Sequence, residues 1–451
     1  MTQPVKTSLL ARIKGLATSW REVARAGRAK EVAPAPDLPD GDRARLRERI
    51  RACLQGRGGE VSARARAAAL GRDYLGLNPV GRRRFLLLLA EEFGPDRRAV
   101  DEAIEHLRAA GGDPALRAKA ERALRAVLEP PRVRLLTQFN GLPEGVEFLV
   151  DMRAELLALA RADPALAAVE ADLKGLLAAW FDVGFLELAR ITWRSPASVL
   201  EKIMAYEAVH VIEDWEDLKN RLDDSDRRLF AFFHPRMPDE PLIFLEVALT
   251  RGMTANIRDL LDPRAPAAEG ADADTAMFYS ITNAQKGLAG ISFGSFLIKR
   301  VVEEVSRDFE RVTTFATLSP LPGFRPWLED QPDFRDGRLG EILRRDGWHG
   351  DPALAQAARG ALCRLAARYL VLEKRPDGKA LDPVAHFHLS NGARLERLDW
   401  LADTSPKGLA QSSGVMVNYV YEPAAIEANH EAYAGGGGVA MSAEMRALLK
   451  G

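Results

Sequence analysis

A chain of 451 residues is too long for one ordinary hydrophobic core, and a formal net charge of −1 gives it no bulk attraction for nucleic acid. Hydrophobic residues at 47% and charged residues at 28% are ordinary globular proportions. Two distant cysteines, Cys53 and Cys363, exclude a disulfide scaffold or a cysteine-based zinc site, and no apolar run approaches the ~20 residues that span a bilayer.

Residues 1–31 carry seven basic residues and two acidic ones, Glu22 and Glu31. Leu9, Leu10, Ile13 and Leu16 recur there at helical spacing. A transit peptide has this texture, and so does an amphipathic arm of an Arg/Ala-rich protein, which is the reading adopted. The last residues, LLKG, are not a peroxisomal address. Residues 33–40 (APAPDLPD) read as a linker, and residues 1–36 are assigned to the arm.

From 37 to 181 the pattern is helical throughout. Breakers stand at turn spacing: the glycine run at 56–59, Asn78-Pro79, Gly94-Pro95, Gly111-Gly112 and Pro130-Pro131. Asp113 followed by Pro114 is a helix start. Phe85 to Ala90 (FLLLLA) predicts a buried helix segment. His106 is the only histidine here, so a helical bundle for packing or self-association is expected rather than a catalytic unit.

The texture changes over 182–451. Strands are predicted at 229–233, 242–249, 277–282, 312–318, 385–389 and 415–421, where β-branched and aromatic residues concentrate. Helices are predicted at 195–205, 296–308 and 356–372. The fold class is therefore α+β: an all-α bundle domain followed by a mixed α/β catalytic domain holding six of the seven histidines.

Four segments could carry chemistry. The first runs from a strand through Lys286, Gly287, Gly290 and Gly294 to a helix opening near Ser295. Glycines let backbone N–H groups approach a phosphate, and a helix N-terminus adds partial positive charge. No GK[ST] is present, and a flexible loop capped by Ser295 is the alternative. The second is Ser319 at a strand end, held out of a helix by Pro320. Most such Ser-Pro pairs are simple turns. The third is His386 and His388, two apart and so on one face of a strand, a spacing open to a metal as well as to proton transfer. The fourth is Asn418, Tyr419 and Tyr421, which line a pocket or pack across strands.

Several strings in one order resemble the malonyl-CoA decarboxylase family: ITWRSPASVLEKI (191–203), EPLIFLEVALT (240–250), FYSITNAQKGLAGISFGSFLIKRVVEEV (278–305), FATLSPLPGF (315–324), LDPVAHFHLSNGARLERLDWLAD (381–403) and SSGVMVNYVY (412–421). The resemblance implies an acetyltransferase-like (GNAT-like) catalytic domain that converts malonyl-CoA to acetyl-CoA and CO2. It implies a catalytic pair on Ser319 and His388, not His386. A CoA-contacting loop is implied over Ala289, Gly290, Ile291, Ser292, Phe293, Gly294 and Ser295. Lys286, Asn418, Tyr419 and Tyr421 are further candidate binding residues. Animal members carry an acid where this chain reads Ser292 and bear organelle addresses that this chain does not match, so a bacterial, cytoplasmic enzyme is expected. No metal or cofactor is implied, because the thioester itself accepts the electrons, and a dimer or tetramer through the helical domain is. Two other readings remain: an acyl-CoA N-acyltransferase on the same fold, and a non-catalytic acyl-CoA sensor.

Overall fold

The computed structural model describes residues 16, 18–21, 23, 32–56, 59–223, 225–262, 272–291, 297–335, 337–436 and 438–450. They form two compact units. One takes Met1–Phe185, His234–Pro238 and Gln285–Ser292, and the other takes Leu186–Phe233, Asp239–Ala284 and Phe293–Gly451.

The first unit is helical: α1 (Asp40–Leu54), α2 (Glu60–Gly76), α3 (Pro79–Glu92), α4 (Arg97–Ala109), α5 (Pro114–Leu128), α6 (Pro131–Asn140), α7 (Gly145–Ala160) and α8 (Ala167–Trp180). The breakers mark the ends as expected. Asn78, Asp96 and Asp113 each accept N–H groups of the following first turn, worth about 1 kcal/mol apiece. Phe85, Leu86, Leu88 and Leu89 of α3 are fully buried. Tyr74 of α2 meets Phe85 edge-on at 5.1 Å and Phe148 of α7 at 5.7 Å, which knits three helices into one core. By contrast α4 and α5 each bury one side chain, Ala103 and Ala120.

The second unit is built on a mixed sheet of eight strands: β1 (Glu187–Ile191), β2 (Arg227–Phe233), β3 (Ile243–Thr250), β4 (Thr275–Asn283), β5 (Thr314–Thr317), β6 (Ser319–Pro320), β7 (Arg394–Asp399) and β8 (Met416–Val420). The order is β1-β2-β3-β4-β5-β8-β6, with β7 on β8. The helices that matter for the site are α9 (Ala197–Tyr206), α10 (Trp215–Arg221), α11 (Leu297–Asp308), α12 (Pro352–Val371) and α13 (Pro383–Ser390). β1 to β4 are antiparallel, and α11 is the crossover to the parallel neighbour β5. β2 and β3 are buried along nearly their whole length, so apart from the arginines that open β2 and Glu246 in β3 they read as apolar runs rather than alternating ones.

One feature of this sheet makes a site. β4 pairs with β5 only from Thr275↔Thr314 to Phe278↔Thr317, and the last bond runs from the Leu318 N–H to the Phe278 carbonyl at 3.0 Å. Beyond it β4 stays with β3, as in Ile281↔Leu245 and Asn283↔Ile243, whereas Ser319 turns to pair with Val417 of β8. Pro320 has no N–H to rejoin β4. The sheet therefore splays open between the second half of β4 and Ser319.

Two expectations are corrected. Residues 385–389 are not a strand but the body of α13. Asp382 accepts the N–H groups of Val384 and Ala385, and Pro383 sits in the first turn. That start signal outweighs the β-like look of AHFHL. The charged segments ELARI and RLERLD, not predicted as strands, form β1 and β7.

Candidate active site

Ser319 stands at the splay because Thr317 and Leu318 complete β5 just before it. Its hydroxyl is buried and donates to Thr317 Oγ1 at 2.8 Å. It also lies 3.0 Å from His388 Nε2, a contact closed across 69 residues of chain.

His388 occupies the last turn of α13 and is buried. Its Nδ1 is 2.8 Å from the Tyr421 hydroxyl, and its ring stacks on Tyr419 at 4.5 Å between centroids. Burial pushes the imidazole down to about 3, so the ring is neutral at neutral pH. The same burial holds the Tyr421 phenol well above its ordinary value, hence protonated. The outer nitrogen thus meets a phenol where hydrolase triads place a carboxylate. Three neutral groups, Ser319, His388 and Tyr421, form one hydrogen-bonded line.

The helix also separates the two histidines. Residues two apart on a helix diverge by about 200°. His386 accordingly turns to Tyr433, with Nδ1 3.0 Å from that hydroxyl. Among the described residues no group of three or more His, Cys, Asp or Glu side chains converges as metal ligands.

Asn418 and Tyr419 are fully buried, and Tyr421 nearly so. They stand behind the pair rather than among the side chains lining the cavity, because β8 packs directly against β5 and β6. Asn418 Nδ2 donates to the Thr317 carbonyl at 2.7 Å, and its Oδ1 accepts from Arg397 Nε at 2.7 Å. The Tyr419 N–H donates to Thr317 Oγ1 at 3.2 Å. Thr317, not singled out by its sequence, is therefore held at its carbonyl and at Oγ1, and it anchors the serine.

In front of the pair the splay encloses a cavity of about 230 Å³. Phe278, Ile281, Leu318, Pro320, Val384 and Phe387 line it beside Ser319 and His388. Among the described residues, no Lys or Arg lines it. Val209 completes one wall, and its position is fixed from beneath. Glu207 accepts the Ser280 and Thr282 hydroxyls of β4 at 2.9 and 3.0 Å and the N–H groups of Val209 and His210 at 2.7 and 2.8 Å.

The glycine-rich segment belongs, as far as it is described, to the first unit. Lys286 opens a 3-10 turn and is exposed, as are Ala289 and Gly290, while Ile291 is buried. Gly290 has φ +71°, a conformation that favours glycine. The buried Arg153 of α7 donates to the carbonyls of Gly287 at 2.5 Å and Ala289 at 2.9 Å while pairing with Glu170 at 2.7 Å. Ser292, Phe293, Gly294 and Ser295 lie outside the described residues.

Comparison with known proteins agrees with this layout. Residues 184–451 match the model of the malonyl-CoA decarboxylase C-terminal domain and 93–181 that of the N-terminal domain. The mitochondrial malonyl-CoA decarboxylase of Anser anser anser is 39% identical over 411 residues, 83% of this chain and 81% of that protein. Its Rattus norvegicus counterpart is 37% identical over 427 residues, 87% of this chain and 83% of that protein. The crystal structure of malonyl-CoA decarboxylase from Rhodopseudomonas palustris is 46% identical and superposes with a TM-score of 0.85, covering 90% of this chain and 99% of that one. The Agrobacterium vitis structure gives 44% and 0.83 with the same coverage. With two domain models matched in order and this identity over most of its length, the chain belongs to the malonyl-CoA decarboxylase family.

Proposed function

We propose that this carboxy-lyase converts malonyl-CoA to acetyl-CoA and CO2, with Ser319 and His388 managing the proton at the mouth of the splayed sheet. The observation that carries the reading is the 3.0 Å contact between Ser319 Oγ and a neutral His388 Nε2 at the wall of an apolar cavity.

The chemistry asks for little else. Breaking the bond between the α-carbon and the carboxylate leaves its electron pair on the α-carbon, delocalised onto the thioester oxygen as an enolate. The α-carbon then takes one proton. Turned from Thr317 Oγ1, the Ser319 hydroxyl donates to that oxygen, and one such placed donor is typically worth ~3 kcal/mol. His388 then passes its Nε2 proton through or alongside the serine and is reprotonated from water, a contribution of roughly 10²–10⁴-fold. The thioester carbonyl is the electron sink, so the scheme uses no metal and no organic cofactor. Among the described residues the largely apolar wall offers the departing carboxylate no Lys or Arg counter-ion, which favours the neutral product CO2 over the bound anion.

The CoA moiety is assigned to the loop over Ala289–Ser295 and to Lys286, supported by the left-handed Gly290 and by the Arg153 anchor on its carbonyls. Self-association is assigned to the helical unit, supported by α4 and α5, which leave Leu116 and Leu128 about half exposed. No helix among the described residues is long and apolar enough to cross a membrane.

The test is acetyl-CoA formation from malonyl-CoA in EDTA, with Ser319→Ala and His388→Ala alongside. Turnover that survives EDTA in the wild type and falls at least ~100-fold in both variants is expected. Absence of acetyl-CoA from the wild-type protein sinks the reading.

A further inference from the structure

The serine and the histidine come from segments that share no strand or helix, yet they meet at hydrogen-bonding distance. Something must hold those segments in register, and a single buried carboxylate does so.

Asp382 is fully buried. Its Oδ1 accepts the N–H groups of Val384 and Ala385, both at 2.9 Å, and so caps α13. His388 lies six residues along that helix, about 9 Å of rise from the cap. The other oxygen, Oδ2, accepts the Tyr369 hydroxyl of α12 at 3.2 Å. Gly323, four residues past Ser319, lies against the same carboxyl, and its backbone favours the charged form. Gly323 has no side chain for a steric reason: a Cβ there would overlap the Tyr369 hydroxyl. The ring of Tyr369 also packs on Phe324 at 5.6 Å and on Trp327 at 5.3 Å. One carboxylate therefore joins the start of the histidine helix to a third helix, whose Tyr369 packs on the segment that follows the serine.

We propose that Asp382 is a positioning residue for the reaction: its two oxygens fasten the serine segment to the histidine helix and thereby set the Ser319–His388 contact. It touches neither Ser319 nor His388, and its influence passes through backbone placement. The inference rests on the catalytic pair proposed above, and its test has an arm that needs no turnover.

Asn caps a helix as well as Asp does. Asp382→Asn therefore keeps an acceptor for Val384 and Ala385 but replaces the second oxygen by an NH2 group, which cannot accept from Tyr369. On the purified full-length enzyme, this variant is expected to lower kcat roughly 10- to 100-fold, the cost of misplacing reacting groups by about 1 Å. KM for malonyl-CoA should stay within about threefold, because binding of the CoA portion does not depend on this register. Tyr369→Phe, which removes one donor and leaves the cap whole, should lower kcat by less than Asp382→Asn with KM again unmoved. It also serves if Asp382→Asn does not fold. The crystal structure of either variant should show the Ser319–His388 contact lengthened beyond about 3.5 Å. Wild-type kcat in both variants, or a retained 3.0 Å contact in the variant structure, overturns the proposal. A wild-type enzyme without decarboxylase activity sinks the functional reading instead, and the structural arm still decides the role of Asp382.

Discussion

His388 is the residue whose surroundings most change its chemistry. A free histidine titrates near ~6.5, whereas burial holds this one at about 3. Between those values the unfolded chain binds a proton that the folded one refuses. Stability from this group is thus present above about pH 6.5 and falls as the pH drops towards 3. His210, pushed down to about 4 mainly by burial, acts with the same sign. Urea titrations of the wild type should show unfolding free energy declining between pH 7 and 5, and His388→Phe should make that decline shallower. A parallel decline in both would remove His388 as its source. For catalysis, kcat/KM should show no acid limb near pH 6.5 arising from His388. Tyr421→Phe removes the phenol from Nδ1 and leaves a buried nitrogen unpaired, at ~1–3 kcal/mol. It should cut kcat about tenfold or more, and an unchanged kcat would show that the phenol only fills space.

At the scale of elements, the site exists because β4 is longer than its pairing with β5. The strand keeps its bonds to β3, so the opening costs no backbone hydrogen bond on that side. The turn at Lys286–Leu288 is held as tightly by packing as by hydrogen bonds. A Cβ on Gly287 would overlap the Val150 carbonyl oxygen of α7, so Gly287→Ala must shift backbone. If this turn leads into the CoA loop, Gly287→Ala should raise KM for malonyl-CoA severalfold while kcat holds, and an unmoved KM would detach the turn from binding. Replacing Arg153 by Met leaves Glu170 without its buried cation and two carbonyls without donors. The loss should be about 3–5 kcal/mol of stability in a denaturant titration.

For the molecule as a whole, stability and assembly make separate predictions. Glu246 of β3 is fully buried, and its Oε2 accepts from Arg221 of α10 at 2.6 Å. Arg221 also donates to Asp217 at 3.1 Å. Breaking such a pair from one side strands a buried charge, so Glu246→Gln should lower unfolding free energy by about 3 kcal/mol with KM unchanged. A loss under ~1 kcal/mol would mean that Asp217 alone satisfies the guanidinium. The poorly buried pair α4 and α5 bears on assembly. If Leu116 and Leu128 lie in a subunit contact, replacing both by Asp should shift the mass measured by light scattering to a smaller species, and an unchanged mass would place self-association elsewhere.

The sequence by itself determined the parts whose causes are local. Asn78, Asp96 and Asp113 with their following turns set helix starts, and the apolar runs at 229–233, 242–249 and 277–282 fall within strands of the sheet. The strings around Ser319 and His388 carried the family, and with it both residues of the candidate pair. What only the tertiary structure decided are the pairings that cross the chain. Residues 385–389 look β-like in composition, yet the Asp382 cap and the burial of one face make them a helix, and that helix turns His386 away from His388. ELARI and RLERLD are too charged to read as strands, and they become strands because β2 and β8 offer backbone partners at the register they need. Tyr421 becomes the partner of His388 across 33 residues, and Asp382 the link between serine and histidine, because burial demands that each lone polar group find an acceptor or donor wherever the fold brings one. Local propensity is written in neighbouring residues, whereas desolvation and long-range hydrogen bonding depend on which segments meet.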